Sequence, residues 1–575
     1  MGNRDVHETA FGRLLLQPGA AAVAAERALR NPVPVDTARG VFARVAAVAA
    51  AEPERIAVVA SAGPVTYRAL IRRALQIRAL LQDARCGLGD RVAVSMPRSA
   101  DTIATFLAIE SIGAVYVPVD QDWPAARVAA MLARVRPSCL VTQDVAGTTP
   151  AGQAAAEVGI PRVWPDANTA PAAPPDPREV PDGEPRYLIH TSGSTGRPKG
   201  AVVLHGGLLN HLQAMVSSLG LRATDTVAFS ASPAYVISVW QMLAVLLAGG
   251  RVAVIDDADL RFPTRLAGVV AREAVTVLEL VPTAIGWIVD TGAHADLSHV
   301  RCLISTGEKL DPGLAGRVVA ALPDVAFLNA YGSTECSDDV ALHVVTAADT
   351  QRPRIAAGRP IANAVMYLLV EDGGQWRAAE DDEEGELWIG GCPVGGGYHD
   401  EPELTRAAFF VDEIAPDSPT GRLYRTGDLA VFSDGLVYCR GRADRQVKIA
   451  GVRIELDEIE AVLSRVPGVV RSAVIADHDD EQGRTNLVVY YVAEPDTRQD
   501  DLYGPLRAAL PAAMFPRQWR RVDELPLNGS GKVDYKALAL LRKDFALADT
   551  DFAPADTDFA PADTDTALAS SRTSS

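Results

Sequence analysis

Thr191-Ser192-Gly193-Ser194-Thr195-Gly196-Arg197-Pro198-Lys199-Gly200 follows directly on the apolar run Tyr187–Ile189. Glycines and small hydroxyl residues in a turn let backbone N–H groups come close to phosphate oxygens, and a terminal lysine adds mobile positive charge. A surface turn built only for flexibility has no use for that lysine. The spacing is not that of a P-loop, which needs Lys followed by Ser or Thr after its second glycine. Here Gly193 and Gly196 are too close together and Gly200 follows Lys199, so a P-loop kinase or NTPase is disfavoured.

The chain around this loop has 575 residues, with 55 Lys+Arg against 73 Asp+Glu, a formal charge of −18. That length predicts several domain-sized units, and 48% hydrophobic residues can fill large cores. The acidic excess argues against a non-specific nucleic-acid binder, which needs clustered Lys and Arg. Lysine is rare: Lys199, Lys309, Lys448, Lys532, Lys536 and Lys543 are all there are, so each merits inspection. Cys86, Cys139, Cys302, Cys336, Cys392 and Cys439 are scattered, without a C-x-x-C pair or a histidine cluster. They predict a reduced chain with neither a disulfide framework nor a zinc site. With no signal-like start and no run of 18 apolar residues, the expectation is a cytoplasmic enzyme with no membrane contact.

Along the chain, residues 1–35 are Ala/Pro-rich and read as a loose lead-in. Residues 36–443 form the large unit. Helical stretches there alternate with Val92–Met96, Val115–Val119, Val252–Ile255, Val277–Val281 and Val325–Asn329, the pattern of βαβ units on mostly parallel sheets. Trp164 to Pro185 reads as an exposed linker. After Gly385 short strands and glycine turns, Glu386–Gly391 and Gly435–Arg440, predict a β-rich subdomain. Residues 444–545 read as a small α+β domain, with Asp457 and Glu460 as a capping box for a helix over 458–465. Residues 546–575 repeat Ala-Asp-Thr-Asp-Phe-Ala-Pro and read as a disordered acidic tail.

At this point the chain resembles the adenylate-forming enzymes: acyl-CoA synthetases, luciferases and the adenylation domains of nonribosomal peptide synthesis. The resemblance covers about residues 40–540. It rests on Thr66-Tyr67, Gly113-Ala-Val-Tyr-Val-Pro118 with Asp120, the loop above, and Asn329-Ala-Tyr-Gly-Ser-Thr-Glu335. Gly385-Glu-Leu, Gly397-Tyr398, Tyr424-Arg-Thr-Gly-Asp428, Gly441-Arg-Ala-Asp444 and Leu525-Pro-Leu-Asn-Gly-Ser-Gly-Lys532 follow in order. The wording is nearest to the peptide-synthesis domains. It implies an α/β fold, with a large N-terminal domain of mostly parallel sheets flanked by helices, a β-rich subdomain and a small mobile α+β C-terminal domain.

The implied reaction is activation of a carboxylate by MgATP to an acyl-adenylate, followed by thiol attack. Joining anions needs preorganised positive charge and donors. By the resemblance, Thr191 through Gly196 (Thr191, Ser192, Gly193, Ser194, Thr195, Gly196) and Lys199 grip the β/γ-phosphates, Thr334 meets the α-phosphate and Glu335 holds Mg²⁺. Asn329 and Tyr331 recognise adenine, Asp428 the ribose hydroxyls, and Arg442 lies beside the nucleotide. Gly307, Glu308, Ala330, Gly332 and Ser333 complete the ATP set. Lys532 reaches in from the small domain to the substrate carboxylate and ribose. Asp444 is the implied hinge, and rotation about it replaces Lys532 by Lys448 and Gly451 for the thioester step.

Domains of this kind that select α-amino acids carry an aspartate matching Val236, in the segment Tyr235-Val236-Ile237-Ser238-Val239-Trp240-Gln241. A buried valine cannot offset desolvation of an α-ammonium. The remaining implied pocket residues are Ile237, Trp240, Glu279, Ile304, Thr306, Ala330, Asp338 and Asp339. Three acids in a closed pocket either take up protons or draw in a cation. They therefore predict an acid with its positive charge away from the α-carbon: a β-amino, ω-amino or guanidino acid such as β-alanine or β-lysine. An aryl or α-keto acid is the competitor.

No carrier-protein serine site follows Lys532, so the expectation is a stand-alone enzyme passing its acyl group to a separate carrier-protein phosphopantetheine thiol. A small activator protein is a further possible partner. CoA as acceptor is the nearest alternative. From another class, an inactive adenylate-binding regulatory protein is opposed by the presence of Lys199, Glu335, Asp428 and Lys532. Lys309, Lys536 and Lys543 read as surface residues, and His190 as structural.

Overall fold

The computed structural model describes residues 11–166, 168–176, 178–193, 198–479, 484–527, 532–535 and 537–539. The acidic tail, Lys536 and Lys543 lie outside them.

The apolar runs that alternate with helical segments form two mostly parallel sheets. In one, Ile56–Ala60, Arg251–Val254, Thr226–Phe229, Val277–Leu280, Cys302–Ser305 and Ala326–Ser333 lie side by side in parallel, with antiparallel strands at both edges. In the other, Arg162–Val163, Cys139–Thr142, Arg91–Ser95, Val115–Pro118 and Pro185–Thr191 run parallel, and Lys199–Leu204 returns antiparallel beside the last. Continuous Val, Ile and Ala suit such strands because helices cover both faces.

The largest core joins these sheets through helices Tyr67–Asp83, Ala100–Ser111, His205–Ser218 and Ile237–Leu247. Ser238 through Leu246 are all buried, as a helix apolar on every side must be. This places Val236, at the start of that helix, against the interior. Where the texture changes to short strands, Ala364–Asp372, Gly385–Gly391, Arg422–Ser433 and Leu436–Arg442 form an antiparallel sheet.

Residues 11–35 are not a loose lead-in. Helix Ala20–Arg27 and strand Leu29–Arg30 dock on that antiparallel sheet, with Leu29 paired to Met366, and Leu14 and Ala24 enter the core around Trp388. Alanine and leucine at these positions bury too little to be conspicuous in sequence, yet enough to hold the segment.

The small lobe begins with the hairpin Gln446–Ile449/Val452–Glu455, then helix Leu456–Leu463, strands Val469–Asp479, Arg484–Ala493 and Gln518–Arg521, and helix Asp500–Ala509. The expected capping box does not form. The helix starts at Leu456 after Glu455, and Asp457 and Glu460 instead receive the Arg445 guanidinium. An arginine fork satisfies both carboxylates, which outcompetes a weak backbone cap. Among the described residues, no helix is long and apolar enough to cross a membrane.

Candidate active site

Thr191 pairs with Lys199 across the hairpin that carries the quoted loop, so the lysine leaves the strand towards the junction of the two lobes. Ser194, Thr195 and Gly196 lie outside the described residues. Lys199 Nζ sits 3.7 Å from Glu335 Oε1 and 4.6 Å from the centre of the Tyr398 ring. Burial, helped by the nearby Arg453 charge, lowers its pKa to about 8.

Glu335 is fully buried. It accepts from the Tyr398 hydroxyl at 2.7 Å and from Arg453 Nη1 at 2.9 and 3.0 Å. Burial alone would raise its pKa, but Arg453 and Lys199 outweigh it and hold the carboxyl at about 2.

Arg453 comes from the small lobe, where it is the cross-strand partner of Lys448. Opposed residues of a hairpin share a face, so both side chains turn towards the large lobe. The hairpin turns through Ala450 and Gly451, both at positive φ. Gly451 N–H donates to Glu308 at 3.1 Å, and a Cβ on Gly451 would lie 2.6 Å from Val281 Cγ1. Only glycine combines that backbone with that approach.

Residues of both lobes line one cavity: Thr191, Ser192, Thr334, Asp428 and Arg442 on one part, Lys448, Gly451 and Arg453 on another. Tyr235, Val236, Ile237, Thr306, Gly307, Gly332, Ser333, Asp338 and Asp339 line it as well. Tyr331 donates to Asp428 at 2.6 Å and Arg442 to the other oxygen of Asp428 at 2.7 Å, while Arg442 also grips Asp444. Asn329 is anchored through Ala356 O at 2.8 Å and keeps its side-chain oxygen unpartnered. Lys532 is exposed and outside the cavity wall.

With this geometry in view, the comparisons with known proteins agree. The description "AMP-binding enzyme" matches residues 45–399, and "AMP-binding enzyme C-terminal domain" matches 458–532. The chain belongs to the AMP-binding enzyme family. It is 34% identical over 491 residues to the Dimodular nonribosomal peptide synthase of Bacillus subtilis, covering 84% of this chain and 20% of that protein. It is 35% identical over 492 residues to Phosphinothricin tripeptide synthetase PhsB of Streptomyces viridochromogenes, covering 82% and 39%. The chain thus spans between a fifth and two fifths of these relatives. The structure of holo-PA1221, an NRPS protein containing adenylation and PCP domains bound to a vinylsulfonamide inhibitor, superimposes with a TM-score of 0.75. There the identity is 28% and the coverage 88% of this chain and 85% of that one.

This AMP-forming ligase is of a family that uses ATP with Mg²⁺, and its residues fit both. Arg442 brings positive charge to the cavity wall, Lys199 stands behind that wall beside Glu335, and Glu335 is a carboxylate kept ionised, the oxygen donor a hard cation prefers. Both Glu335 oxygens are engaged by Arg453, so a cation at that carboxylate requires Arg453 to withdraw.

The residues that the resemblance implied for a substrate pocket divide between the cavity wall and the layer behind it. Trp240, Glu279, Ile304 and Ala330 are buried behind the wall rather than forming it. Glu279 meets no arginine among the described residues. Its Oε2 accepts from Trp240 Nε1 at 2.8 Å and Gln241 Nε2 at 3.0 Å, and its Oε1 is unpartnered. Glu308 likewise turns from the cavity, accepting from Thr283 Oγ1 at 2.8 Å as well as Gly451 N–H.

Asp338 and Asp339 reach the wall through distorted backbone. The pairing of Ala326–Ser333 with Asp338–Val344 shifts register between Tyr331 and Gly332, and Ser337 and Asp338 have positive φ. A Cβ on Gly332 would fall 2.0 Å from Asp338 O. Burial, then the neighbouring carboxylates, raise Glu279 and Asp338 well above the carboxylate range, and burial pushes Asp339 up to about 7.

Sequence reasoning missed Arg453, Tyr398 as partner of Glu335, and Arg127, which forms a buried 2.7 Å ion pair with Glu458 of the small lobe. Alternation in the hairpin was the available signal for Arg453, since it opposes Lys448. Arg127–Glu458 left none. His190 proves to line the cavity, and burial lowers its pKa to about 3, keeping the ring neutral.

Proposed function

We propose that this ligase activates an acid carrying its cation away from the α-carbon, a β-amino, ω-amino or guanidino acid, and passes it to a carrier-protein phosphopantetheine thiol. One observation carries the substrate half: Asp338 and Asp339 stand side by side at the cavity wall, fully buried, each with one oxygen unpartnered. Two such carboxylates ionise together only beside a cation. Val236, an apolar side chain buried at the cavity, offers nothing to an α-ammonium.

In this reading Thr191, Ser192, Gly193 and Lys199 neutralise phosphate charge, Thr334 orients the α-phosphate, and Asn329, Tyr331 and Asp428 hold the nucleoside. Mg²⁺, when bound through Glu335, screens phosphate charge. Asp444 is the pivot. Lys532 serves activation of the carboxylate, and Lys448 with Gly451 serves the thiol step. Lys448 and Arg453 line the cavity while Lys532 stays outside it, which supports assigning this arrangement of the lobes to the thiol step. The domain division proposed is 36–443 for activation and 444–545 for the mobile lobe.

ATP–pyrophosphate exchange across β-amino, ω-amino, guanidino, aryl and α-keto acids tests the proposal. Exchange with at least one of the first three classes is expected. Exchange confined to aryl or keto acids overturns it, and exchange with none favours a regulatory adenylate binder. Supplying CoA or a phosphopantetheinylated carrier as acceptor then separates the two thiol classes.

A further inference from the structure

His211 lies on helix His205–Ser218, is 3% exposed, and has an Nε2 with no hydrogen-bond partner. One ring nitrogen of His211 and one carboxylate oxygen each of Asp338 and Asp339 lie within 4.8 Å of one another. The two aspartates also keep Oδ2 unpartnered. Two elements far apart in sequence thus bring three polar groups to one buried point.

We propose that His211, Asp338 and Asp339 form a three-acceptor cradle for a primary ammonium, and that His211 selects –NH₃⁺ over guanidinium and N-alkylated cations. This rests on the distal-cation reading above. An ammonium projects three N–H donors tetrahedrally, so acceptors about 2.8 Å from its nitrogen stand about 4.6 Å apart. A guanidinium is a flat fork that wants coplanar acceptors, and a quaternary ammonium has no N–H at all.

The histidine supplies what a third carboxylate could not. Burial pushes its pKa down to about 3, so it is neutral and adds an acceptor without adding negative charge. Thr306 Oγ1 meets Oδ1 of Asp339 at 3.4 Å, leaving Oδ2 for the ligand. Lys448 and Glu279 are the remaining charged groups facing the pair, Lys448 lowering both aspartates and Glu279 raising Asp338. Glu279 engages Trp240 and Gln241 through Oε2, and its unpartnered Oε1 is not among the three gathered atoms, so His211 is the acceptor that completes the set.

The test is ATP–pyrophosphate exchange by the full chain with β-alanine, γ-aminobutyrate and δ-aminovalerate, each beside its N,N,N-trimethyl and guanidino counterparts. At the chain length accepted, the primary amine is expected to exceed both counterparts by about 100-fold in kcat/KM, because buried acceptors reject an analogue lacking their donors. His211→Leu is expected to lower kcat/KM for the amine at least about ten-fold, mostly through KM, with little change for an uncharged isosteric acid. His211→Gln, which keeps an acceptor, is expected to recover part of the loss.

Equal use of the trimethyl or guanidino acid overturns the inference while leaving the distal-cation reading intact. A parallel loss on charged and uncharged acids in His211→Leu reduces His211 to packing and also overturns it. Retention of one equivalent of metal by chelator-treated protein, lost in Asp339→Asn, assigns the cradle to a metal ion instead. Exchange with aryl or keto acids alone removes the distal-cation reading itself. The substrate series needs no variant, so a misfolded His211→Leu does not stall the test.

Discussion

At the residue scale, the site sets charges against burial and lets neighbours decide. Glu335 and Asp339 are both fully buried carboxyls, yet one is held at about 2 and the other pushed to about 7. The difference is that Arg453 and Lys199 outweigh burial at the first, whereas at the second burial prevails over the weaker help of Thr306 and Lys448. Asp339 therefore carries a stability consequence. Its folded pKa lies above its unfolded value, so the folded state binds the extra proton, and the contribution to stability is lost as pH rises from about 4 to about 7. Asp339→Asn should raise the stability of the ligand-free protein at neutral pH by up to about 4 kcal/mol while leaving it nearly unchanged at pH 4. Thermal melts at the two pH values check this, and equal shifts at both would contradict it. The same substitution should lower exchange with the accepted cationic acid by about two orders of magnitude. Lys199→Met should lower exchange with every acid by about 10²–10³, since under the proposed function it removes charge from the phosphates rather than from the acid.

At the element scale, the hairpin Gln446–Ile449/Val452–Glu455 is the part of the small lobe that enters the cavity wall. Its period-two pattern puts Lys448 and Arg453 on one face, and its turn brings Gly451 against Glu308 and Val281. Gly451→Ala combines a strained φ with a 2.6 Å clash. It should slow acyl transfer to a thiol at least about ten-fold and leave ATP–pyrophosphate exchange within about two-fold, because under the proposed function only the thiol-step arrangement of the lobes needs that contact. Single-turnover transfer beside equilibrium exchange separates the two. Helix Leu456–Leu463 shows how element-level rules are overridden: Asp457 and Glu460 have capping-box spacing, but Arg445 offers both carboxylates a stronger partner.

At the scale of the whole molecule, the two lobes are latched by few, buried and charged contacts. Arg127–Glu458 is closed off from solvent, Arg453 grips Glu335, and Ser192 Oγ donates to Arg453 O at 2.9 Å. Removing one partner of a buried pair strands the other charge, at a cost of about 3–5 kcal/mol. Glu458→Gln should therefore loosen this arrangement, seen as faster proteolysis near Asp444 and slower thiol transfer with exchange preserved. Arg127→Leu combined with Glu458→Leu should recover much of the protection. Protection unchanged in the single variant would show that the latch lies elsewhere.

What the sequence determined by itself was whatever depends on neighbours along the chain. Strand runs such as Val92–Met96 appear within a residue or two as Arg91–Ser95, because burial on both faces demands continuous apolar residues. The glycine-rich loop between Thr191 and Lys199 was legible for a similar reason, as a short local pattern, whereas Asp338 and Asp339 entered only through the family resemblance. Tertiary structure decided the rest. It alone put Trp240 and Gln241 on Glu279, Arg453 on Glu335, Arg127 on Glu458 and His211 beside Asp338. Each pair joins residues from different elements, and no periodicity along the chain records which charges end up facing one another across a buried gap.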